Sequence, residues 1–66
     1  MLLYAAAFAA AEALERNAGS RAALPAYRTL ATSATEPERT RAILAGLRCA
    51  RAAEDVDALD AFVTLW

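Results

Sequence analysis

The stretch that decides the fold is Ala23-Leu24-Pro25-Ala26-Tyr27-Arg28-Thr29-Leu30. At an offset of 35 positions it aligns with Ala58-Leu59-Asp60-Ala61-Phe62-Val63-Thr64-Leu65, and five of the eight residues are identical. The same offset superimposes Ala7, Ala10, Arg16 and Ala18 on Ala42, Ala45, Arg51 and Ala53. A repeat of this length is typical of stacked helical hairpins, which bury their apolar faces against one another. We therefore interpret the chain as two copies of one helical unit, over about 1–31 and about 36–66.

Length and composition favour an all-α chain that forms a single small domain over 1–66. With 66 residues the chain has material for one core only. It is 59% apolar, and 20 of its residues are alanine, the strongest helix former. Glycine and proline occur only twice each. We expect about four helices, arranged as two stacked hairpins with the character of a solenoid repeat.

The charged residues exclude several classes of function. Seven arginines stand against eight carboxylates, giving a net charge of −1 without the basic excess of a nucleic-acid-binding module. The absence of histidine removes the commonest general base and the commonest metal ligand. We therefore expect no nucleic-acid partner, no cofactor and no enzymatic activity. A lone cysteine forms no internal disulfide, which favours a cytoplasmic location.

The first eleven residues form an uncharged apolar run that could be read as a targeting or membrane segment. Spanning a bilayer takes about 20 residues, so this run is too short. It also lacks the basic start of a secretory signal, although its alanine-rich end would suit cleavage. We expect a first helix with one buried face and no membrane partner.

Local signals predict the limits of the first two helices. The first should run from about Leu2 to Asn17, followed by Gly19 in a left-handed cap. Ser20 is the expected N-cap of the second helix, as Asp55 or Asp57 is for the fourth. Pro25 leaves two alternatives, because it removes a backbone donor. Either the second helix kinks there or it begins near Leu24.

The stretch Thr35-Glu36-Pro37-Glu38 predicts the start of the third helix. Thr35 would supply a hydroxyl cap, Pro37 suits the first turn, and Glu38 would return the capping bond. This helix should continue to about Ala53. The fourth helix should run from about Val56 to the end of the chain.

Helical periodicity predicts which faces are buried. The third helix should have a large apolar face of Ile43, Leu44, Leu47 and Ala50, and a stripe of small side chains made of Ala42, Gly46, Cys49 and Ala53. The matching stripe on the first helix is Ala7, Ala11, Leu14 and Ala18. The second helix should contribute Leu24, Tyr27 and Leu30 to the core, and the fourth Leu59, Phe62, Val63 and Trp66.

Some of these positions resemble tetratricopeptide repeats, in which a Gly or Ala on the first helix meets an Ala and an aromatic residue on the second. The two matching sets are Ala11, Ala23 and Tyr27, and Gly46, Ala58 and Phe62. The resemblance implies a non-catalytic packing or binding surface.

From Tyr27 to Val63 the chain also resembles the HEAT-like C-terminal helical domain of zinc aminopeptidases. The similar residues are Tyr27, the stretch 31–39, Ile43-Leu44-Ala45-Gly46-Leu47 and Leu59. This resemblance implies a fragment or relative of a domain that covers the active site of a separate catalytic domain. The family's H-E-x-x-H zinc motif has no counterpart here, so no catalytic role can be transferred.

Three groups of residues have both a chemical and a structural interpretation. Cys49 beside Arg48 could be a reactive thiolate or a small packing residue, and the second is favoured. The carboxylates Glu54, Asp55, Asp57 and Asp60 suggest calcium but are better explained by helix capping and the helix dipole. Arg41, Arg48 and Arg51 could bind an anionic partner or form local pairs such as Arg51 with Asp55.

Trp66 completes an apolar pattern that no polar residue caps, whereas solenoids place polar faces at their ends. It could fold back onto the core, mark a boundary where another repeat stacks, or belong to a binding surface. We predict a non-catalytic helical interaction or scaffold module that contacts a protein partner or forms a homo-oligomer. The residues assigned to its surface are Trp66, Phe62, Val63, Arg41 and Arg48.

Overall fold

A computed structural model describes residues 4–66 of the chain, and these residues form an all-α fold. The helices are α1 (Ala5–Ala18), α2 (Ser20–Ser33), α3 (Glu38–Ala52) and α4 (Val56–Leu65). The predicted all-α class with about four helices is confirmed. The predicted start of the first helix at Leu2 lies outside the described residues.

The four helices form two hairpins that lie side by side. Helix α1 packs against α2, α3 packs against α4, and the most extensive contact joins α2 to α3. We call α1 and α2 unit one, and α3 and α4 unit two. The described part of the chain measures 35 × 27 × 13 Å, so the helices form a flat layer with α2 and α3 in the middle.

Each hairpin turns at a residue with a positive φ angle. Gly19 has φ 98° and ψ 170°, a conformation that glycine adopts readily because it has no Cβ. Its equivalent one repeat later is Glu54, with φ 55°. The expected N-cap at Ser20 is wrong: Ser20 is the first residue of α2, Gly19 precedes it, and no side chain caps this helix.

Helix α2 runs through Pro25 without ending. The alternative in which this helix begins near Leu24 is therefore wrong. Pro25 lies on the exposed side of α2. Since proline has no N–H, Pro25 cannot donate to the carbonyl of Arg21, which lies one turn earlier.

The start of α3 lies where the sequence predicts it, but a different residue caps it. Thr35 makes no side-chain cap, and the helix begins at Glu38 after the cis Glu36–Pro37 peptide bond. The Glu36 carboxylate accepts hydrogen bonds from the Thr40 backbone N–H at 2.9 Å and from its hydroxyl at 2.6 Å. These bonds from Thr40 lower the pKa of Glu36.

The predicted cap of α4 is confirmed. The Asp55 carboxylate accepts a hydrogen bond from the backbone N–H of Ala58 at 3.0 Å. Asp57 lies in the first turn, where its negative charge complements the helix dipole.

Most of the core lies on the two central helices. The predicted contribution of α2 is confirmed, because Leu24, Tyr27 and Leu30 are all buried. On α3, Ala42, Gly46 and Cys49 are buried as expected, and Ala53 is half-buried. Leu44 is 51% exposed, so its assignment to a buried face is wrong. Leu44 lines an open groove between α1 and α3 and is not packed into the core.

The predicted stripe on α1 is mostly wrong. Ala11 is buried, but Ala7, Leu14 and Ala18 are exposed. Helix α1 has one main neighbour, α2, and turns a different row of residues inward. That row consists of Tyr4, Phe8, Ala11 and Glu15.

Candidate interaction surface

The described structure divides the five predicted surface residues among three places. Trp66 and Val63 are exposed on α4 at 71% and 56%, whereas Phe62 beside them is 1% exposed. Arg41 and Arg48 are exposed on α3. The fold therefore does not bring the five residues into one surface.

Helix α4 has two apolar faces, and only one of them faces the core. Phe62 is buried on the inner face, where Ala58 and Leu65 pack with it. The outer face follows the spacing i, i+3, i+7 and i+10, and we call it the tail face. It consists of Val56, Leu59, Val63 and Trp66.

The tail face is an apolar strip that the rest of the described chain leaves largely uncovered. Val56 is 75% exposed, and only Leu59 is half-buried. The expectation that Val63 and Trp66 belong to the core is therefore wrong. Val56 was not among the predicted surface residues, although it precedes Val63 by seven positions and so shares its side of the helix.

Phe62 cannot belong to a binding surface of this fold because its ring lies against the backbone of α3. A Cβ atom added to Gly46 would come within 2.3 Å of the Phe62 Cε1 atom. The lack of a side chain at Gly46 therefore allows α3 and α4 to approach closely. Phe62 holds unit two together.

Arg41 and Arg48 lie along a groove between α1 and α3. Phe8 and Leu44 contribute apolar surface to this groove, and Glu12 and Glu38 also line it. Arg48 is engaged in an ion pair, whereas Arg41 makes none with any residue from 4 to 66. The groove is thus lined by charges of both signs, without a basic excess.

Arg48 connects the two units through Glu15. Its guanidinium donates two hydrogen bonds to the Glu15 carboxylate, with N–O distances of 2.6 and 3.0 Å. The expected local pair between Arg51 and Asp55 does not form in the described structure. Because Glu15 and Arg48 lie 33 positions apart, helical spacing rules gave no signal for this pair.

Glu15 also accepts a hydrogen bond from the only polar side-chain atom of a fully buried tyrosine. The Tyr27 hydroxyl donates to the Glu15 carboxylate at 2.9 Å, and Tyr27 has no exposed surface. Burial, followed by the hydrogen bond to the Glu15 carboxylate, raises the pKa of Tyr27 to about 12. Both effects favour the neutral phenol.

Cys49 is a buried packing residue. It has no exposed surface, and burial followed by the nearby charge of Glu15 raises the pKa of its thiol. Both effects disfavour the reactive thiolate. The hypothesis of an exposed nucleophile at this position is therefore wrong.

Among the acidic residues around the start of α4, Asp55 is the helix cap and Asp57 lies in the first turn. No group of three or more potential metal ligands occurs among residues 4–66. None of the described helices has the length and apolar character needed to cross a membrane.

Comparisons with protein-family models, curated proteins and solved structures give no significant match to this chain.

Proposed function

We propose that the chain is a non-catalytic helical interaction module that uses the tail face to contact a protein partner or another copy of the chain. The observation that supports the proposal most directly is the exposure of Val56, Val63 and Trp66 on one side of α4. Each large apolar side chain gains roughly 1.5–3 kcal/mol on full burial. An exposed tryptophan among aliphatic residues also matches the composition of binding hot spots.

The buried groups support the non-catalytic part of the proposal. Cys49 lies in the core with a raised thiol pKa, and Tyr27 is held neutral by Glu15. Glu15 in turn forms an ion pair with Arg48. The arrangement explains all four side chains as parts of the packing between the two units.

Photo-crosslinking in the cells that make this protein tests the proposal. A photoreactive amino acid at Val63 should give an adduct of discrete mass with another polypeptide. The matched control carries the same amino acid at Thr32, which is exposed on α2. Adducts specific to Val63 support the module, whereas equal labelling at both positions, or no adduct at Val63, contradicts it.

A further inference from the structure

We propose that the partner of the tail face is a second copy of this chain, bound head to tail. In this arrangement the outer side of α1 in one copy packs on the tail face of the next. The inference rests on the proposed function, because it names the partner of the same surface. We call the contact between unit one and unit two the internal junction. The inference is supported by a correspondence between the two exposed sides of the chain and the two sides of this junction.

The α3 side of the internal junction has an exposed equivalent on α1. Ala45 lines the groove that α1 borders, and burial followed by the charge of Glu15 in unit one raises the pKa of the Cys49 thiol, so Cys49 also lies near that unit. Ala42 lies on the same side of α3, and all three junction residues are at most 7% exposed. Their equivalents 35 positions earlier are exposed and apolar. We call these the head face: Ala7, Ala10 and Leu14.

The α2 side of the junction has its exposed equivalent on α4. Leu24 and Arg28 line a groove together with the first half of α4, and Leu24 and Ala31 are buried. Arg21 lies on the same side and donates to the carbonyl of Ala53 at 2.9 Å. The equivalents of these four residues form the tail face: Val56, Leu59, Val63 and Trp66.

The charges at the internal junction are absent from both outer faces. Arg21 and Arg28 of unit one line the same groove as Asp55 and Asp57 of unit two, so opposite charges share it, although no ion pair joins these four residues. Valines replace both arginines at the equivalent positions of the tail face. The equivalents of the two carboxylates, beside the head face, are Ser20 and Ala22.

This paired loss of charge identifies the occupant of the tail face. Burying an arginine without a carboxylate is costly, and so is burying a carboxylate without a cation. The apolar tail face is therefore complementary to the uncharged head face. A tail-to-tail dimer is less suitable, because it would bring together Asp60, which borders Val56 and Val63, from two copies, and α4 carries no cation to balance the two carboxylates.

Head-to-tail contacts leave one free head and one free tail in every open assembly. Such heterologous contacts continue into larger assemblies unless they close into a ring. Association should therefore not stop at a dimer.

Two surface variants and their mixture test the arrangement by sedimentation velocity. Val63→Arg gives the tail face the residue found at the equivalent internal position, Arg28. Leu14→Glu places a charge on the head face. Thr64→Arg is the matched control, because it adds the same charge to α4 at an exposed position outside the tail face. Circular dichroism on the same samples checks that every variant remains helical.

The wild type and Thr64→Arg should associate with increasing concentration, and each of the other variants alone should associate at least tenfold more weakly. An equimolar mixture of Leu14→Glu and Val63→Arg should form dimers and nothing larger, because one intact tail meets one intact head. If Leu14→Glu loses its helicity, Ala7→Glu replaces it as the head variant.

Three results would overturn the inference: a monomeric wild type at all concentrations, a mixture that stays monomeric, or a Leu14→Glu variant that associates like the wild type. A crosslink from Val63 to a polypeptide of different mass would also overturn it, but would leave the proposed interaction module intact. The absence of any crosslink specific to Val63 would contradict the module itself.

Discussion

Tyr27 and Phe62 occupy equivalent positions in the two units, and their surroundings differ by the polar atom that distinguishes them. The Tyr27 hydroxyl donates to Glu15, whereas Phe62 has no hydroxyl. The residue equivalent to Glu15 is Ala50, which is 1% exposed. A buried hydroxyl needs a partner, and a carboxylate without one would be costly to bury. The phenol and its carboxylate acceptor thus occur together in unit one and are both missing from unit two.

The raised pKa of Tyr27 predicts a loss of stability at alkaline pH. Because the folded-state pKa is about 12 and the usual value is 10.0, the stabilisation is complete below pH 10. It is lost as the pH rises from 10 to 12. Absorbance titration of the wild type and of Tyr27→Phe, with helicity monitored, should give a difference that titrates near pH 12. A difference that titrates near pH 10 in folded protein would contradict the buried hydrogen bond.

The contact between Gly46 and Phe62 predicts the sign of a substitution. In an exposed helix, Gly→Ala stabilises by about 1 kcal/mol. At Gly46 the added Cβ would overlap the Phe62 ring, so we expect Gly46→Ala to destabilise the fold by roughly 1–3 kcal/mol. Urea unfolding measures the difference.

The Phe62→Leu background supplies the control for Gly46→Ala, because a shorter side chain leaves room for the Cβ. There the cost of Gly46→Ala should fall by about 1 kcal/mol or more, the coupling expected of residues in contact. Equal effects in both backgrounds would show that the close packing of α3 on α4 has been misassigned.

At the scale of the helices, local rules located the connections but missed two of the caps. Gly19, Pro37 and Asp55 mark the breaks because their backbone or capping chemistry acts over a few residues. The cap expected from Thr35 does not form, and the Glu36 carboxylate accepts the Thr40 N–H instead.

Which face of each helix is buried depends on the helices that pack against it. Sequence periodicity does not identify those neighbouring helices. The small residues of α3 are buried because α2 and α4 pack on its two sides. Those of α1 are exposed because α1 has one main neighbour, α2. Helix α4 has two apolar faces, and the pattern could not distinguish the inner from the outer. For that reason Phe62 and Val63 were assigned to the same surface, although Phe62 is buried against α3 and Val63 is exposed.

The cap at Asp55 predicts the effect of removing one carboxylate from α4. Asp55→Ala should lower the free energy of unfolding by about 1 kcal/mol, because it removes the acceptor for the Ala58 N–H. Asp57→Ala is the matched control, since it removes a charge from the first turn without removing a capping bond. Its cost should be smaller, about 0.3–1 kcal/mol. Equal losses in chemical denaturation would argue that charge, and not the cap, defines this helix start.

Across the whole molecule, the order in which the helices pack explains both what is buried and what is left exposed. Unit two covers the outer side of α2, and within the described residues nothing covers the equivalent side of α4. Glu15 joins the units through Arg48 and accepts the Tyr27 hydroxyl within unit one, and no local pattern could predict these contacts between distant positions. The fold class could therefore be predicted from the 35-residue offset. The pair between Glu15 and Arg48 and the exposure of the tail face could be identified only from the packed structure.

The most direct test of the account is the mass of the wild-type chain by sedimentation equilibrium across a concentration series, with Val63→Arg measured in parallel. We expect the wild-type mass to rise above 7.0 kDa with concentration and to pass the dimer value, while the variant stays close to the monomer. A wild-type mass that remains at 7.0 kDa throughout, or equal association of the two proteins, would contradict the claim that the tail face binds another copy.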